Sequence, residues 1–325
     1  MWRKIGLVVA VIIGWGVILA YIIFASHLAQ QHRAEQRVEK VEIVLPNVEK
    51  GRFATKEQIR RHLDYLHIRT EGELIDSVDL TRIEECLSKE GFVKGVDSYV
   101  TSSGKLYIDI HQHEPILRLM CGGLNVYVTK ERDVFCPPRG SACYTSVITG
   151  SYKPHFGRGY EGNAEVYFDK LLGDKDDEIF GIENELATVN SKRRKSDDEV
   201  ELADLDRREM QLKEQRLLAE KSKKNLLKKR TDFVNLINFV SRVESDRFWS
   251  AEIAQFVADT TYMGEITLRM IPRSGNFEIE FGTLDNSAGK LAKLQKFYDK
   301  GLPYVGWERY KLVDVRYDKQ IICKE

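Results

Sequence analysis

Hydrophobic residues change their spacing several times along the chain, and the first change marks a long apolar run. The run begins at Ile5, ends at Ala25 and contains no charged residue. A helix over it would be about 30 Å long, which is the thickness of a bilayer core. The run is longer than the apolar region of a cleaved signal peptide, and the residues after it form a poor cleavage site. We therefore predict an uncleaved transmembrane helix over residues 5–25.

The flanks of this run bear on its orientation. Basic residues on the two sides nearly balance, so the positive-inside rule decides little. About 300 residues follow the run and only a short tail precedes it. Export of the long part is the simpler topology, so we predict a cytoplasmic tail over 1–4, a polar stalk over 26–40 and an exported C-terminal part.

Between residues 41 and 115 the pattern alternates between strand and helix spacing. Residues 41–45 alternate in polarity, as a half-buried strand does. Residues 55–66 and 79–91 then have apolar residues three and four apart, behind Thr and Asp cap residues. Residues 96–101 and 106–111 predict two further strands. The predicted order is strand, helix, helix, strand, strand.

The C-terminal part has a similarly clear pattern. Residues 266–270 and 277–281 alternate strictly, so each predicts a strand that buries one face. Ser287 can cap a helix whose buried stripe is Leu291, Leu294 and Phe297–Tyr298. We expect an antiparallel sheet that is covered by a helix on one face.

Residues 173–230 interrupt this domain with a charged segment. Single apolar residues recur every seven positions, at Leu205, Leu212, Ala219 and Leu226. The pattern predicts a charged helix over 196–230 and leaves two alternatives open: an exposed single helix held by ion pairs four residues apart, or a coiled-coil arm that pairs with a partner. Residues 197–206 hold six acids and no base, and residues 221–230 hold six bases and no acid. This polarised surface is one that a protein partner could recognise.

Composition narrows the function classes. Lys and Arg total 50 and Asp and Glu total 50, so the zero net charge argues against a nucleic-acid partner. The mean hydropathy of −0.37 is too low for a multi-pass membrane protein. No nucleophile motif occurs, and we predict no catalytic site, no cofactor and no small-molecule substrate.

A few residues suggest chemistry without establishing it. His111 and His113 could lie on one strand face as metal ligands, but no third ligand is visible, so we predict no metal. Gly157, Gly159 and Gly162 fit a dinucleotide pattern in letters only, and we expect a loop there. Cys136 and Cys143 could close a small disulfide loop.

Five motifs occur in order along the chain: Ile75-Asp-Ser-Val-Asp79, Leu106-Tyr-Ile-Asp-Ile110, Ile271-Pro-Arg-Ser-Gly275, Gly306-Trp307 and Gln320-Ile-Ile-Cys323. This ordered set resembles the FtsQ/DivIB family, in which a POTRA domain follows a single membrane anchor. The strand–helix–helix–strand–strand order is similar to that of a POTRA domain. In one place the chain departs from the family, because Gln112-His113 replaces its Glu-Arg pair. The last two motifs resemble the ending of Bacteroidetes-type members.

The resemblance implies an α+β fold. Its parts are a single N-terminal transmembrane helix, a POTRA domain (βααββ) over 41–115, and an antiparallel β domain with flanking helices over 116–325. The charged helical insertion at 173–230 lies within that β domain.

The resemblance also implies a function. It indicates a bitopic assembly protein of the bacterial divisome, with its N-terminus in the cytoplasm and its domains in the periplasm at the division septum. Such a protein binds FtsB- and FtsL-like bitopic partners and helps recruit and regulate septal peptidoglycan synthases. Residues 79–96 of the POTRA domain would contact other division proteins.

The resemblance places partner binding at an exposed sheet edge near the C-terminus. The residues implied are Tyr317, Lys319, Gln320, Ile321, Ile322 and Lys324. Strand addition at this edge would use backbone hydrogen bonds, with side-chain pockets for specificity. From the residues themselves a buried central strand over 321–323 stays open, since the run is apolar throughout.

Two other functions stay open. One is a POTRA-bearing periplasmic adaptor of an envelope assembly or secretion machine. The other is a membrane-anchored metal-dependent enzyme at His111 and His113.

Overall fold

The computed structural model describes residues 15–24, 36–46, 53–138, 140 and 142–325. It divides into two compact units, Met1–His113 and Glu114–Glu325. Residues 5–14 and 25 of the predicted transmembrane run lie outside the described residues. Residues 15–24 of the run are helical. No helix within the described ranges is both long and apolar enough to cross a membrane. The transmembrane helix therefore stays a prediction.

The first unit has the predicted βααββ order. Its three-stranded sheet has the order β1-β3-β2, with β1 parallel to β3 and β2 antiparallel to it. The elements are β1 Lys40–Val44, α1 Lys56–Tyr65, a 3-10 turn Ile75–Ser77, α2 Leu80–Leu87, β2 Val93–Val100 and β3 Lys105–Gln112.

Local chemistry explains where the helices of this unit begin. The Thr55 hydroxyl accepts from the Gln58 backbone N–H while the Gln58 side chain accepts from Thr55 N–H, which forms a capping box for α1. Asp79 caps α2, because its carboxylate accepts a hydrogen bond from the Arg82 backbone N–H. Gln112, where the chain departs from the family motif, is buried, and its Oε1 accepts from the Phe53 N–H at 2.9 Å.

The second unit is built on a ten-stranded sheet of order β13-β12-β11-β10-β9-β7-β4-β5-β6-β8. The strands are β4 Pro115–Leu119, β5 Val126–Thr129, β6 Asp133–Phe135, β7 Ser146–Thr149, β8 Gly162–Asn163, β9 Ile253–Thr260, β10 Ile266–Pro272, β11 Glu278–Gly282, β12 Leu312–Asp314 and β13 Ile322–Lys324. The helices are α3 Ala164–Arg193, α4 Glu199–Ser245, α5 Arg247–Glu252, α6 Ser287–Lys300 and α7 Leu302–Val305.

The sheet is mixed, so the expectation of a purely antiparallel sheet is wrong. The pairs β4–β7, β7–β9 and β11–β12 are parallel. Parallel neighbours need a long crossover connection, and α6 with α7 supplies one between β11 and β12. The predicted α6 stripe is buried at Leu291, Leu294 and Tyr298.

One hydrophobic core joins the sheet to its helices. The C-terminal half of α4 is buried along Phe233, Ile237 and Val240, beside sheet residues such as Leu268 and Phe281. Phe239 packs against Phe281 with ring centroids 4.8 Å apart. The core cluster contains residues from β4, β5 and β7 as well as from β9 to β12, so α4 connects the two halves of the sheet.

The charged segment is a helical hairpin, because α3 and α4 pack against each other. Leu186 and Val189 of α3 bury against Leu212 of α4, with Ile182 and Leu205 at the margin. The expectation of an exposed single helix is therefore wrong. The helix packs against α3 of the same chain, and pairing with a partner stays a prediction. Both helices continue beyond residues 173–230 into the core, at Phe168 and Phe233.

Each charge block of α4 faces residues of opposite charge on α3. The basic block at 221–230 faces the acidic first half of α3, and the acidic block at 197–206 faces the basic end of α3. The ion pairs join Arg230 to Asp169 (2.9 Å), Lys223 to Asp176, Arg208 to Glu185 (2.7 Å) and Arg193 to Asp206 and Glu209 (3.0 and 3.1 Å). Each exposed pair contributes little to stability. The short connection over 194–198 makes the two helices antiparallel, and the ion pairs fit that arrangement.

The cysteine and glycine expectations have different outcomes. Cys136 and Cys143 are present as thiols and not as a disulfide. Burial raises the pKa of the Cys323 thiol, so this residue is a protonated core side chain at neutral pH. Gly157 and Gly159 lie in a loop before β8, as the sequence predicts.

Leu212→Asp is expected to unfold the outer part of the hairpin and leave the sheet intact. Leu212 is 1% exposed, and an unpaired buried carboxylate costs several kcal/mol. The sheet core does not depend on this residue, because the residues that α4 contributes to that core begin at Leu226. Limited proteolysis should cut the variant between residues 180 and 220 and leave a stable remainder.

The matched control is Gln211→Asp, which adds the same charge at an exposed neighbour. It should resist the protease as the unchanged chain does. If Leu212→Asp resisted the protease as well as the unchanged chain does, the buried contact of Leu212 with Leu186 and Val189 would not be what stabilises the hairpin.

Candidate functional site

Strand β13 lies at one end of the ten-stranded sheet. It pairs antiparallel with β12, with Leu312 opposite Lys324, Val313 opposite Cys323 and Asp314 opposite Ile322. Within the described part of the chain, no strand pairs with its other side. The alternative of a buried central strand is therefore wrong, and one row of β13 backbone groups faces away from the sheet.

The six residues implied for this edge fall into two groups. Ile322 and Lys324 belong to β13, and Ile321 directly precedes it. Tyr317, Lys319 and Gln320 lie instead in the turn between β12 and β13, so the edge strand is shorter than the implied range. Lys319 has a φ of 61°, in the left-handed region, which turns the chain back towards β12.

Side chains alternate across this strand. Ile321 and Cys323 pack against the core, so Ile322 and Lys324 point to the opposite face. On that face Ile322 stands opposite Asp314, which is itself paired with Glu280 of β11. Ile322 is thus a partly exposed apolar side chain with charged residues beside it.

Arg316 forms an ion pair with Asp314 on this face and stabilises its carboxylate form. Its guanidinium donates to both carboxylate oxygens of Asp314, with contacts of 3.0 Å from Nε to Oδ1 and 2.6 Å from Nη2 to Oδ2. Burial by itself would raise the pKa of the Asp314 carboxyl. The side-chain and backbone hydrogen bonds from Arg316, together with its charge, outweigh burial and hold that pKa below its usual value. Asp314 is therefore ionised at neutral pH although it is buried.

Two lysines of α6 hold the segments around the edge. Lys293 Nζ donates to Val315 O at 2.9 Å and also to Tyr317 O, so one ammonium group fixes the start of the turn. Lys290 Nζ donates to Thr283 O at 2.7 Å. Sequence reasoning missed Lys293, because a lysine between two buried helix positions ordinarily points to solvent. The helical spacing showed only that it flanks the stripe.

A buried carboxylate supports the other side of α6. Glu252 is 9% exposed, and its Oε1 accepts from the hydroxyls of Ser274 at 2.5 Å and Tyr298 at 3.0 Å. Burial raises the pKa of Tyr298 and the Glu252 carboxylate raises it further, so the phenol stays a donor. Trp249 and Trp307 surround the same phenol ring. The network fixes α6, and through Lys293 the turn of the edge.

The histidines considered as metal ligands lie in the first unit. His111 is exposed, and its Nε2 is 3.8 Å from Asp97 Oδ2. Among the residues that the structure describes, no group of three or more His, Cys, Asp or Glu side chains is arranged to hold a metal ion.

Comparison with known families agrees with this architecture. Residues 36–111 match a family model described as a POTRA-like domain, and residues 222–324 match one described as FtsQ/DivIB, C-terminal related. A search of curated proteins finds no match. The two matches indicate a division-related periplasmic protein. Together the two matches support a protein of the FtsQ/DivIB family, the family that the sequence motifs indicate.

Lys293→Met is expected to loosen the edge without unfolding the domain. The substitution removes a charged donor shared by two carbonyl oxygens, which costs about 1–2 kcal/mol of local stability. Amide exchange in residues 315–324 should become about tenfold faster, while the strands from β9 to β11 stay protected.

Lys296→Met is the matched control, since Lys296 lies exposed on the same helix. Its exchange rates should equal those of the unchanged chain. If the two variants behaved alike, Lys293 would not be what holds the turn.

Proposed function

We propose that this protein is a bitopic divisome assembly protein that acts by binding alone and that its partner strand pairs with β13. The observation that carries the proposal is the position of β13 at the end of the sheet, with one side unpaired within the described residues. A partner strand can add to an unpaired sheet edge, and the backbone hydrogen bonds that form there give affinity.

The short length of β13 limits what the backbone contributes. Three residues supply only two or three outward hydrogen bonds, each with a net contribution of about 1 kcal/mol. Stable binding therefore needs side-chain contacts beside the strand. Ile322 and Tyr317 supply apolar surface, and Tyr317 is 45% exposed. Lys319 and Lys324 add charge that selects an acidic neighbour and disfavours pairing of two identical edges.

The family match supports the choice of partners. The proposed partners are FtsB- and FtsL-like bitopic division proteins, through which the protein would help recruit and regulate septal peptidoglycan synthases. The proposed location is the inner membrane at the division septum, anchored by residues 5–25, with the tail in the cytoplasm. Residues 79–96 of the POTRA-like domain are proposed as a second contact with division proteins.

The adaptor alternative has weaker support. A POTRA-like domain suits an envelope assembly or secretion machine as well as a divisome. The match over residues 222–324 is specific to the FtsQ/DivIB C-terminal part and favours the divisome.

Ile322→Lys is expected to abolish capture of the FtsB-like partner. At this position the lysine replaces the apolar side chain proposed to contact the partner with a charge that the incoming strand would have to bury. The fold should tolerate the change, because Ile322 is partly exposed and stands opposite the Asp314 carboxylate. Ile321 is unsuitable for this test, since it packs against the core. Co-purification from the native host should fall at least tenfold.

Ile322→Val is the control and should capture the partner normally. Thermal unfolding of both variants checks that the domain stays folded. A folded Ile322→Lys variant that captures its partner at the normal level would rule out the edge mechanism.

A further inference from the structure

The hairpin has a second line of apolar residues outside its buried seam. Phe180 and Ala187 stand seven residues apart on α3, and Met210 and Leu217 stand seven apart on α4. Phe180, Met210 and Leu217 are 64%, 72% and 65% exposed. Large apolar side chains at heptad spacing on a strongly charged surface indicate a helix-packing face.

These residues border one groove on one side of the hairpin. The groove is lined by Leu186, Ala187 and Leu217, with Glu183, Lys213 and Arg216 at its margins. Phe180 lies three residues before Glu183, and Met210 three before Lys213, so both extend the same side. The ion pairs Lys223–Asp176 and Arg216–Glu183 place Phe180 and Leu217 at similar levels.

The acidic residues beside the groove on α3 are complementary to the basic residues beside it on α4, so the grooves of two copies are complementary in charge. Residues 176–183 of α3 hold four acids and no base, and residues 216–223 of α4 hold three bases and one acid. These stretches lie side by side within one hairpin. A two-fold axis parallel to the hairpin puts α3 of one copy over α4 of another at the same level. Acidic and basic stretches then meet between copies as they do within one.

We infer that two copies of this chain associate through their hairpins, face to face along the Phe180–Leu217 side, as a four-helix bundle. Adjacent helices in this arrangement run antiparallel, which is the common geometry of such bundles. Both copies point their hairpin tips in the same direction. The contact is isologous, so it closes at the dimer.

The size of the face sets the expected strength. Residues 173–193 of α3 and 199–225 of α4 lie beyond the sheet core. The shorter stretch gives a face about 30 Å long and two helices wide. The total buried area is about 1,000 Å², at the low end of specific interfaces. The dimer should therefore be weak, with a Kd in the micromolar range.

Sedimentation of the full-length chain, kept in a mild detergent, tests the inference between 1 and 200 µM. The protein mass should rise with concentration from the 37.5 kDa of one chain towards twice that value. Phe180→Glu combined with Leu217→Glu should stay at the mass of one chain over the whole range. Both side chains are exposed, so helicity measured by circular dichroism should not change.

Leu218→Glu is the matched control. Leu218 is 59% exposed on the opposite side of α4, next to Ile182 and Ala219. This variant should dimerise like the unchanged chain. A single-chain mass at 200 µM for the unchanged chain would overturn the inference, as would a dimer that survives the double substitution.

Discussion

The packing of α4 on the ten-stranded sheet is the constraint on which the second unit depends. One helix of 47 residues buries its C-terminal half beside strands from both halves of the sheet. Because those strands come from chain segments separated by the hairpin, no short-range contact could bring them together. The apolar residues from Phe233 to Val243 do so by providing one surface that both halves cover. The edge at β13 exists only because this core orders the strands before it.

The same helix also determines the hairpin. Within one chain its N-terminal half has too few apolar residues to be buried on both sides, so it pairs with α3 and leaves a largely charged exterior. The acidic and basic blocks first suggested a surface for another protein. Asp206, Lys223 and Arg230 of these blocks pair with α3, and a line of apolar residues is exposed beside them. The short connection over 194–198 sets the direction of the helices, and the apolar residues between them stabilise the pair.

Rigidity near the C-terminus comes from polar groups in unusual positions. Glu252 is buried, and the hydroxyls of Ser274 and Tyr298 donate to it. Lys293 donates its ammonium group to two backbone carbonyls. These interactions hold a short strand and its turn in place, so a partner strand would meet an ordered edge. Binding to an ordered edge avoids the entropic cost of ordering it first.

Local patterns in the sequence determined the elements. Alternation and helical spacing predicted the βααββ unit, the strands near residues 266–281 and the buried stripe of α6, because such periodicities reflect which face is buried. The ordered motifs also indicated the family. Only the tertiary structure decided what depends on distant residues: the parallel pairs of the mixed sheet, the pairing of α4 with α3, and the placing of Lys293. The edge position of β13 is of the same kind, since an apolar triplet has the same composition whether one neighbour or two lie beside it.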